Sequence, residues 1–448
     1  MEKGEIYDID IDDVSIDGQG IGRIDGMATF VPGLLPGEKA RVRIIKAGKK
    51  TAAAVTEERL SDSPIRREAP CLLARACGGC TIQHMTYMGQ LQVKDARVRH
   101  LLSKVCAGAQ INYPLPCPAE FRYRNKTSFP VQQGEGGVKV GCYMKGTHNV
   151  VDTGRCLLQT PSMDRCVNAV SRWMQENGIA PYDETTGKGL VRHIVVRRTF
   201  YDEIMVGIVT NGRELPCEKE LIKEIRSAED EVMSIVQNVN TTRGNVILGD
   251  ETRVLFGEPT VRERIMDMDF EISLNTFLQV NHDGCELLYT TVEKLARLLP
   301  SQTAVDLYCG AGTISLVLAR MCKKVYGIEI VPAAIDDARK NAKENGIENV
   351  EFICADSGKG FAEVARRESH IDLVVVDPPR KGLAPEVTDN ILKAAPDRVV
   401  YVSCDPATLA RDLEKLSKEY KAEFVQPVDM FPQTTHVECV VLMSRVEK

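Results

Sequence analysis

The chain has 448 residues, 43% of them hydrophobic, 27% charged and 5% aromatic, with a formal net charge of −6. At roughly 150 residues per domain this predicts about three domains with well-buried cores, and the composition excludes disordered, collagenous and disulfide-stapled miniature classes. An acidic chain argues against bulk, non-specific nucleic-acid binding while leaving room for local basic patches.

No apolar run reaches the length a membrane helix needs, and the N-terminal MEKGEIYDIDIDD is acidic where a signal peptide is basic and then apolar. The expectation is a cytoplasmic monomer with no membrane contact. Fifteen cysteines are many for such a chain. A reducing compartment forbids structural disulfides and leaves metal binding, catalysis or packing to explain them.

Residues 4–59 read as short alternating strands between glycine turns, the pattern of a small five-stranded, OB-like barrel. Within GEKARVRIIKAGKK, Lys39, Arg41, Arg43, Lys46, Lys49 and Lys50 are opposed by Glu38 alone. That predicts a locally positive side of the barrel, or a strand edge guarded by lysines. SDSPIRREAP reads as a linker. A cysteine-rich loop follows, then a helix over 90–105. Strand patterns at 121–132, 137–144, 190–200, 203–210, 231–240 and 245–250 predict an antiparallel α+β domain. Arg122, Arg124 and Lys126, then Lys188, Arg192, Arg197 and Arg198, make it locally basic, with some of those side chains expected on one exposed face.

After Phe277 short β-branched runs (TAVDLYC, KVYGIEI, VEFICAD, IDLVVVDPP, RVVYVSC) alternate with the helical stretches GTISLVLARMC, PAAIDDARKNAKEN, APEVTDNILKAA and PATLARDLEKLSK. This is the pattern of a doubly wound, Rossmann-like α/β sheet buried on both faces. AEFVQPVDMF and HVECVVLMS have no helix between them and predict an antiparallel pair at its edge. The expected domains are therefore 1–60, 61–269 and 270–448.

Five motifs carry chemistry. Cys71, Cys77 and Cys80 have the spacing C-x5-C-x2-C around Gly78 and Gly79, and Cys156 follows in TGRCLL. Four thiolates so spaced suit a cubane iron–sulfur cluster best, with tetrahedral zinc and inert packing as the other readings. Cys106, Cys117, Cys142, Cys166, Cys217, Cys285 and Cys322 lack partner spacing and read as buried small hydrophobes. In VDLYCGAGTISL a strand ends in a Gly310-Ala311-Gly312 turn that opens a helix, and Glu329 ends the next strand, where a carboxylate accepts ribose hydroxyls. Asp356 ends the third strand, placed to meet an adenine amine. The turn is shorter than a dinucleotide fingerprint, which favours S-adenosylmethionine over a nicotinamide cofactor.

Asp377-Pro378-Pro379-Arg380 ends the fourth strand, and the fifth delivers Cys404 before a helix capped by Asp405. A helix N-terminus lowers a thiol's pKa, as a nucleophile needs. His436 and Glu438, two residues apart on a late strand, are candidate proton acceptors. Together these groups fit one reaction. Pyrimidine C5 is too weak a nucleophile until a thiolate adds at C6, after which C5 takes a methyl group and a base removes its proton.

DLYCGAGT, DPPRKG, SCDPATLARD and DMFPQTTHVE, with LNTFLQVN ahead of them, resemble the bacterial RNA uracil-5-methyltransferases over essentially the whole chain. The resemblance implies a TRAM domain at the N-terminus and [4Fe-4S] ligation by Cys71, Cys77, Cys80 and Cys156, as in the 23S ribosomal RNA branch. It further implies Cys404 as nucleophile and Glu438 as base. Gln279, Tyr308, Gly310, Thr313, Glu329, Asp356 and Asp377 would line the S-adenosylmethionine site. Thr313 and Tyr308 stand where asparagine and phenylalanine are common, and Leu278 replaces a frequent aromatic, leaving base stacking to Phe277. The implied partner is 23S rRNA with a loop uridine flipped out. Transfer RNA as substrate, amine methylation through DPPR, and a non-catalytic assembly factor are the alternatives.

Overall fold

The computed structural model describes residues 1–446. Its first five strands, β1 (Ile6–Val14), β2 (Gln19–Ile24), β3 (Met27–Pro32), β4 (Lys39–Ala47) and β5 (Thr51–Ser61), close into a barrel in the order β1-β2-β3-β5-β4. Alternation turns Ile9, Ile11, Val31, Val42 and Ile44 into its interior. Three of the six outward cations are paired with acids, which weakens the expected positive side and leaves it to Lys46, Lys49 and Lys50. Lys39 meets Asp10 at 3.9 Å, Arg41 meets Asp8 and Glu58 at 3.2 and 2.9 Å, and Arg43 meets Glu57 at 2.5 Å. These acids lie on the paired strands β1 and β5 rather than within the basic stretch itself, so local charge counting could not see them.

Helix α1 (Tyr87–Leu102) starts a turn earlier than expected because Thr86 caps it, its hydroxyl accepting from Gly89 N at 3.3 Å. After β6 (Gln110–Ile111) come β7 (Lys126–Gly134), β8 (Gly137–Val140), α2 (Pro161–Glu176), β9 (Val191–Arg198), β10 (Ile204–Thr210), α3 (Glu218–Ala228), β11 (Val232–Val239) and β12 (Glu251–Gly257). They form a six-stranded sheet, β12-β11-β10-β9-β7-β8, on which α2 buries Met163, Val167, Val170 and Trp173. The sheet is not wholly antiparallel: α3 is a crossover that brings β11 parallel to β10. Residues 245–250 are irregular, and the strand begins at Glu251. The expected basic face is also corrected. Arg192 and Arg197 are 5% and 3% exposed and donate to backbone carbonyls of Asn240, Thr242 and Thr276.

The hairpin β13 (Val261–Ile265) and β14 (Met268–Ile272) spans the expected boundary at residue 269. Then follow α4 (His282–Ala296), β15 (Thr303–Leu307), α5 (Thr313–Ala319), β16 (Lys324–Glu329), α6 (Pro332–Glu344), β17 (Val350–Cys354) and α7 (Ser357–Arg367). The chain closes with β18 (Leu373–Val376), α8 (Pro385–Ala394), β19 (Arg398–Ser403), α9 (Pro406–Leu416), β20 (Tyr420–Val428) and β21 (Glu438–Arg445). The sheet order is β17-β16-β15-β18-β19-β21-β20-β6. Strands β15 to β19 are parallel, and the chain reverses direction across the sheet between β15 and β18, opening a crevice at their carboxyl ends. The antiparallel pair lies at this end of the sheet, as expected, with β21 between β19 and β20 and the two-residue β6 beyond them. With Val98 and Leu102 of α1 in the same core, residues 87–111 pack with the C-terminal sheet although they precede the central one in sequence.

Candidate active site

The turn after β15 is held in an unusual backbone shape. Tyr308, Gly310 and Gly312 have φ of 69°, 53° and 84°, the left-handed region that disfavours side chains. A Cβ on Gly312 would lie 2.8 Å from the Phe352 ring, whereas one on Gly310 would enter open space over the turn. That space is a cradle for a ligand approaching the backbone. Gly310 N donates to Glu329 Oε2 at 3.3 Å, and the other carboxylate oxygen accepts from Ile330 and Val331 N at 2.8 and 3.0 Å, fixing the acid at the end of β16. Asp356 caps α7 through Oδ1, 3.1 Å from Gly358 N. Thr313 shares a 2.8 Å hydrogen bond with Tyr289.

Beneath the turn, buried Asp306 accepts from Ser315 Oγ at 2.6 Å while its Oδ1 has no partner, and burial lifts its pKa to about 7. Gln279 sits in the loop before α4, which Asn125 ties to the central region through a 3.2 Å bond to the Gln279 carbonyl. Beside it Phe277 is 73% exposed and Leu278 is buried.

Cys404 follows β19, and Asp405 caps α9 as expected, its Oδ1 2.9 Å from Ala407 N. The thiol is not depressed, however. Burial pushes it up to about 11, the Glu438 and Asp377 carboxylates add to that, and Arg380 and a backbone hydrogen bond at Cys404 itself oppose them. A helix terminus in which Pro406 lacks an N–H and Ala407 N is already bonded offers the sulfur little. Glu438, first residue of β21 and 3% exposed, is raised to about 8 by burial and by Asp377, with Arg380 opposing. Burial also raises Asp377, to about 7. His436 lies in the loop before β21 rather than on the strand, and burial together with Arg380, Lys94 and Arg97 lowers its pKa. A cavity of about 120 Å³ opens at the thiol, lined by Arg97, Arg380, Asp405, Thr435 and His436, with Ile16 arriving from the barrel.

The loop that leads to Glu438 is anchored by groups the sequence does not advertise. Lys94 on α1, fully buried, reaches Asp429 Oδ1 at 2.6 Å and the Phe431 carbonyl at 3.1 Å. Gln433, at φ 71°, exchanges bonds of 2.8 and 3.0 Å with Gln90, and its carbonyl accepts from Thr81 and Ile82 N at 3.0 and 3.1 Å. The available signal was a lone lysine on the apolar stripe Leu91, Lys94, Val98, Leu102.

Cys71, Cys77, Cys80 and Cys156 do come together, lining one pocket with Gln83 and Arg124. Cys142 joins them, which corrects its reading as a packing residue. Its sulfur and that of Cys77 lie 3.2 and 3.5 Å from where a Cβ on Gly79 would be, and a Cβ on Gly78 would meet the Tyr143 carbonyl at 2.7 Å, so the loop packs closely here. Gln83 Nε2 donates to Cys80 Sγ at 3.1 Å, Gly79 N to Cys77 Sγ at 3.4 Å, and the buried Arg124 Nε has no partner. Burial pushes the Cys80 thiol up to about 12, whereas the bond with Cys142 draws Cys77 down to about 6. Among the described residues no three cysteine sulfurs lie mutually within 4.8 Å. A tetrahedral zinc site with ~2.3 Å bonds needs sulfurs ~3.8 Å apart. Of the cysteines expected to be buried, Cys106, Cys117, Cys166, Cys285 and Cys322 are, and Cys217 is exposed.

A family model described as tRNA (Uracil-5-)-methyltransferase matches residues 218–446, and a TRAM domain model matches residues 1–55. The chain is 44% identical to an "uncharacterized RNA methyltransferase" of Bacillus cereus, across 100% of this chain and 98% of that protein. It is 42% identical to a relative of the same description from Halalkalibacterium halodurans, across 99% and 98%. Among solved structures it is similar to the Pyrococcus abyssi tRNA (uracil-54, C5)-methyltransferase in complex with S-adenosyl-L-homocysteine. That match has a TM-score of 0.77 and 27% identity, and it covers 98% of this chain and 100% of the other.

Proposed function

The chain belongs to the RNA uracil-5-methyltransferase family, and from that premise we propose that it methylates C5 of a uridine in 23S ribosomal RNA, with Cys404 as nucleophile and Glu438 as base. The observation that carries this reading is the meeting of Cys404, Glu438 and Asp377 at the carboxyl edge of the sheet that bears the Gly310 cradle. S-adenosylmethionine supplies a methyl group on a sulfonium. Gln279, Tyr308, Gly310, Thr313, Glu329, Asp356 and Asp377 would hold it. The open space at Gly310 and the unpartnered Asp306 Oδ1 beneath the turn fit such a ligand.

Cys404 adds as thiolate to C6 of the uracil, and the ring's electron pair becomes available at C5 for the methyl group. Glu438 then removes the C5 proton, and the electrons of that bond expel the thiolate and restore the ring. A carboxyl raised to about 8 is a strong enough base for this step once ionised. Amine methylation needs neither residue. Phe277 is exposed beside Gln279, where a flipped base can stack.

Cys71, Cys77, Cys80 and Cys156 would hold a [4Fe-4S] cluster, which would supply a rigid four-point crosslink in the region that grips RNA. The convergence of the four cysteines on one pocket, with Gln83 donating to Cys80 and the Arg124 side chain on its wall, supports it. The barrel and the cysteine pocket favour the ribosomal branch. A specific observation favours a second substrate, transfer RNA: the similar Pyrococcus abyssi tRNA enzyme matches this chain along its full length.

Mapping 5-methyluridine by mass spectrometry in 23S and transfer RNA, from cells with and without the gene, separates the two substrates. RNA carrying 5-fluorouridine at the mapped site should form a covalent adduct with the protein, because fluorine cannot leave as a proton does. Cys404→Ala should form none and lose at least about a thousandfold in turnover while keeping its affinity for S-adenosylhomocysteine. Turnover by that variant at the normal rate overturns the mechanism.

A further inference from the structure

Most arginines of this protein are spoken for. Arg41 and Arg43 of the barrel pair with carboxylates, and Arg23, Arg192 and Arg197 donate to carbonyls. Arg97 and Arg380 differ. Among the described residues neither guanidinium has a carboxylate within salt-bridge distance or a hydrogen-bond partner, and Arg97 Nε is buried in that condition. Both line the cavity that opens at Cys404. Arg97 comes from α1, one turn beyond Lys94, and Arg380 from the loop after β18. The one acid on that wall, Asp405, has its Oδ1 engaged in capping α9.

Two unpaired guanidiniums beside a nucleophile answer to an anion. Uracil is neutral and does not call for them, and Glu438 and Asp377, whose carboxylates act on Cys404, do not line this cavity. A nucleotide flipped out of its strand rotates about its backbone, so its base enters the pocket while its phosphate stays at the mouth. The two non-bridging oxygens of a phosphodiester match the forked donors of guanidinium.

We propose that Arg97 and Arg380 form a clamp for the phosphodiester next to the target uridine, with Arg97 a positioning residue that sets the base over Cys404. The clamp rests on the functional reading given above. It also gives α1 two tasks one turn apart: Lys94 fixes the catalytic loop and Arg97 receives the RNA.

The probe is a ribo-oligonucleotide centred on the uridine mapped in cells. Arg97→Ala should raise its KM about tenfold while turnover at saturating RNA stays within about twofold, and should lower the slope of log affinity against log salt by about one. Arg97→Lys should recover part of the loss. A neutral methylphosphonate placed on each side of the uridine in turn should cost the wild-type protein the same tenfold at one of the two positions. At that position Arg97→Ala should lose nothing more. Losses that add, or an unchanged KM, overturn the clamp. The phosphonate comparison on wild type alone decides the matter if the variants fail to fold, since wild-type indifference at both positions also overturns it. A wild-type protein that binds the oligonucleotide and leaves uridine C5 unmethylated overturns the functional reading, and the clamp with it.

Discussion

Glu438 holds its proton to about pH 8 in the fold, against an ordinary value of 4.5, because burial and Asp377 outweigh Arg380. Between those two values the unfolded chain has released this proton and the folded one has not. Stability from this group is therefore complete below about pH 4.5 and is lost as pH rises through 8. Replacing it by a neutral isostere removes the loss. Glu438→Gln should melt at the wild-type temperature at pH 5 and above it at pH 8.5, as calorimetry would show. In the proposed mechanism the same substitution removes the base, so the thiolate could not be expelled. With ordinary uridine RNA, Glu438→Gln should accumulate a covalent protein–RNA species on a denaturing gel, and wild type should not. Turnover of the wild-type protein should rise with pH toward 8 as the carboxylate forms.

At the scale of elements, α1 and the loop between β20 and β21 behave as one unit. Lys94 and Asp429 are both fully buried and 2.6 Å apart, so each is tolerable only because of the other. Lys94→Met strands the Asp429 carboxylate and should cost about 3–5 kcal/mol by chemical denaturation. Lys94→Met combined with Asp429→Leu should recover most of that. In the double variant the loop keeps its stability without its anchor, so turnover should stay depressed. The turn after β15 is equally unforgiving: Gly312→Ala meets the Phe352 ring at 2.8 Å with a backbone that disfavours any Cβ. It should lose stability, and affinity for S-adenosylhomocysteine with it.

Across the whole molecule, the cysteine pocket and the catalytic edge are joined by few bonds. Thr81 and Ile82, directly after Cys80, donate to the carbonyl of Gln433, five residues before Glu438. The Thr435 hydroxyl reaches the Ile16 carbonyl in the barrel. Barrel, cysteine loop and methyltransferase sheet thus all bear on one segment. Protein prepared without oxygen should absorb near about 400 nm and carry iron. Cys71→Ala should lose both. Cys142→Ala should keep its iron, which tests whether the fifth thiol is a neighbour rather than a ligand. Loss of iron should also lower the melting temperature, since the loop it holds is the one that braces Gln433.

The sequence by itself determined the barrel, the parallel strands with the glycine turn and the order of the motifs, because these rest on local periodicity and turn chemistry within a few residues. It also identified the cysteines that converge on the pocket, apart from Cys142, and the groups at the sheet edge, because residue type and strand-end position carry that information. What it could not determine was how charge and burial are distributed. Arg192 and Arg197 belong to a run expected to put some side chains on an exposed face and are buried; three of the barrel's cations meet acids on the paired strands beside them; Cys404 reads as depressed and is raised. Those depend on which groups the chain brings together over tens to hundreds of residues, as Lys94 and Asp429 do. Helices α2, α3, α4 and α7 went unrecognised beside stronger strand and turn patterns. Tertiary packing alone assigned α1 to the C-terminal sheet, and with it placed Arg97, without a partner among the described residues, on the wall of the cavity at Cys404.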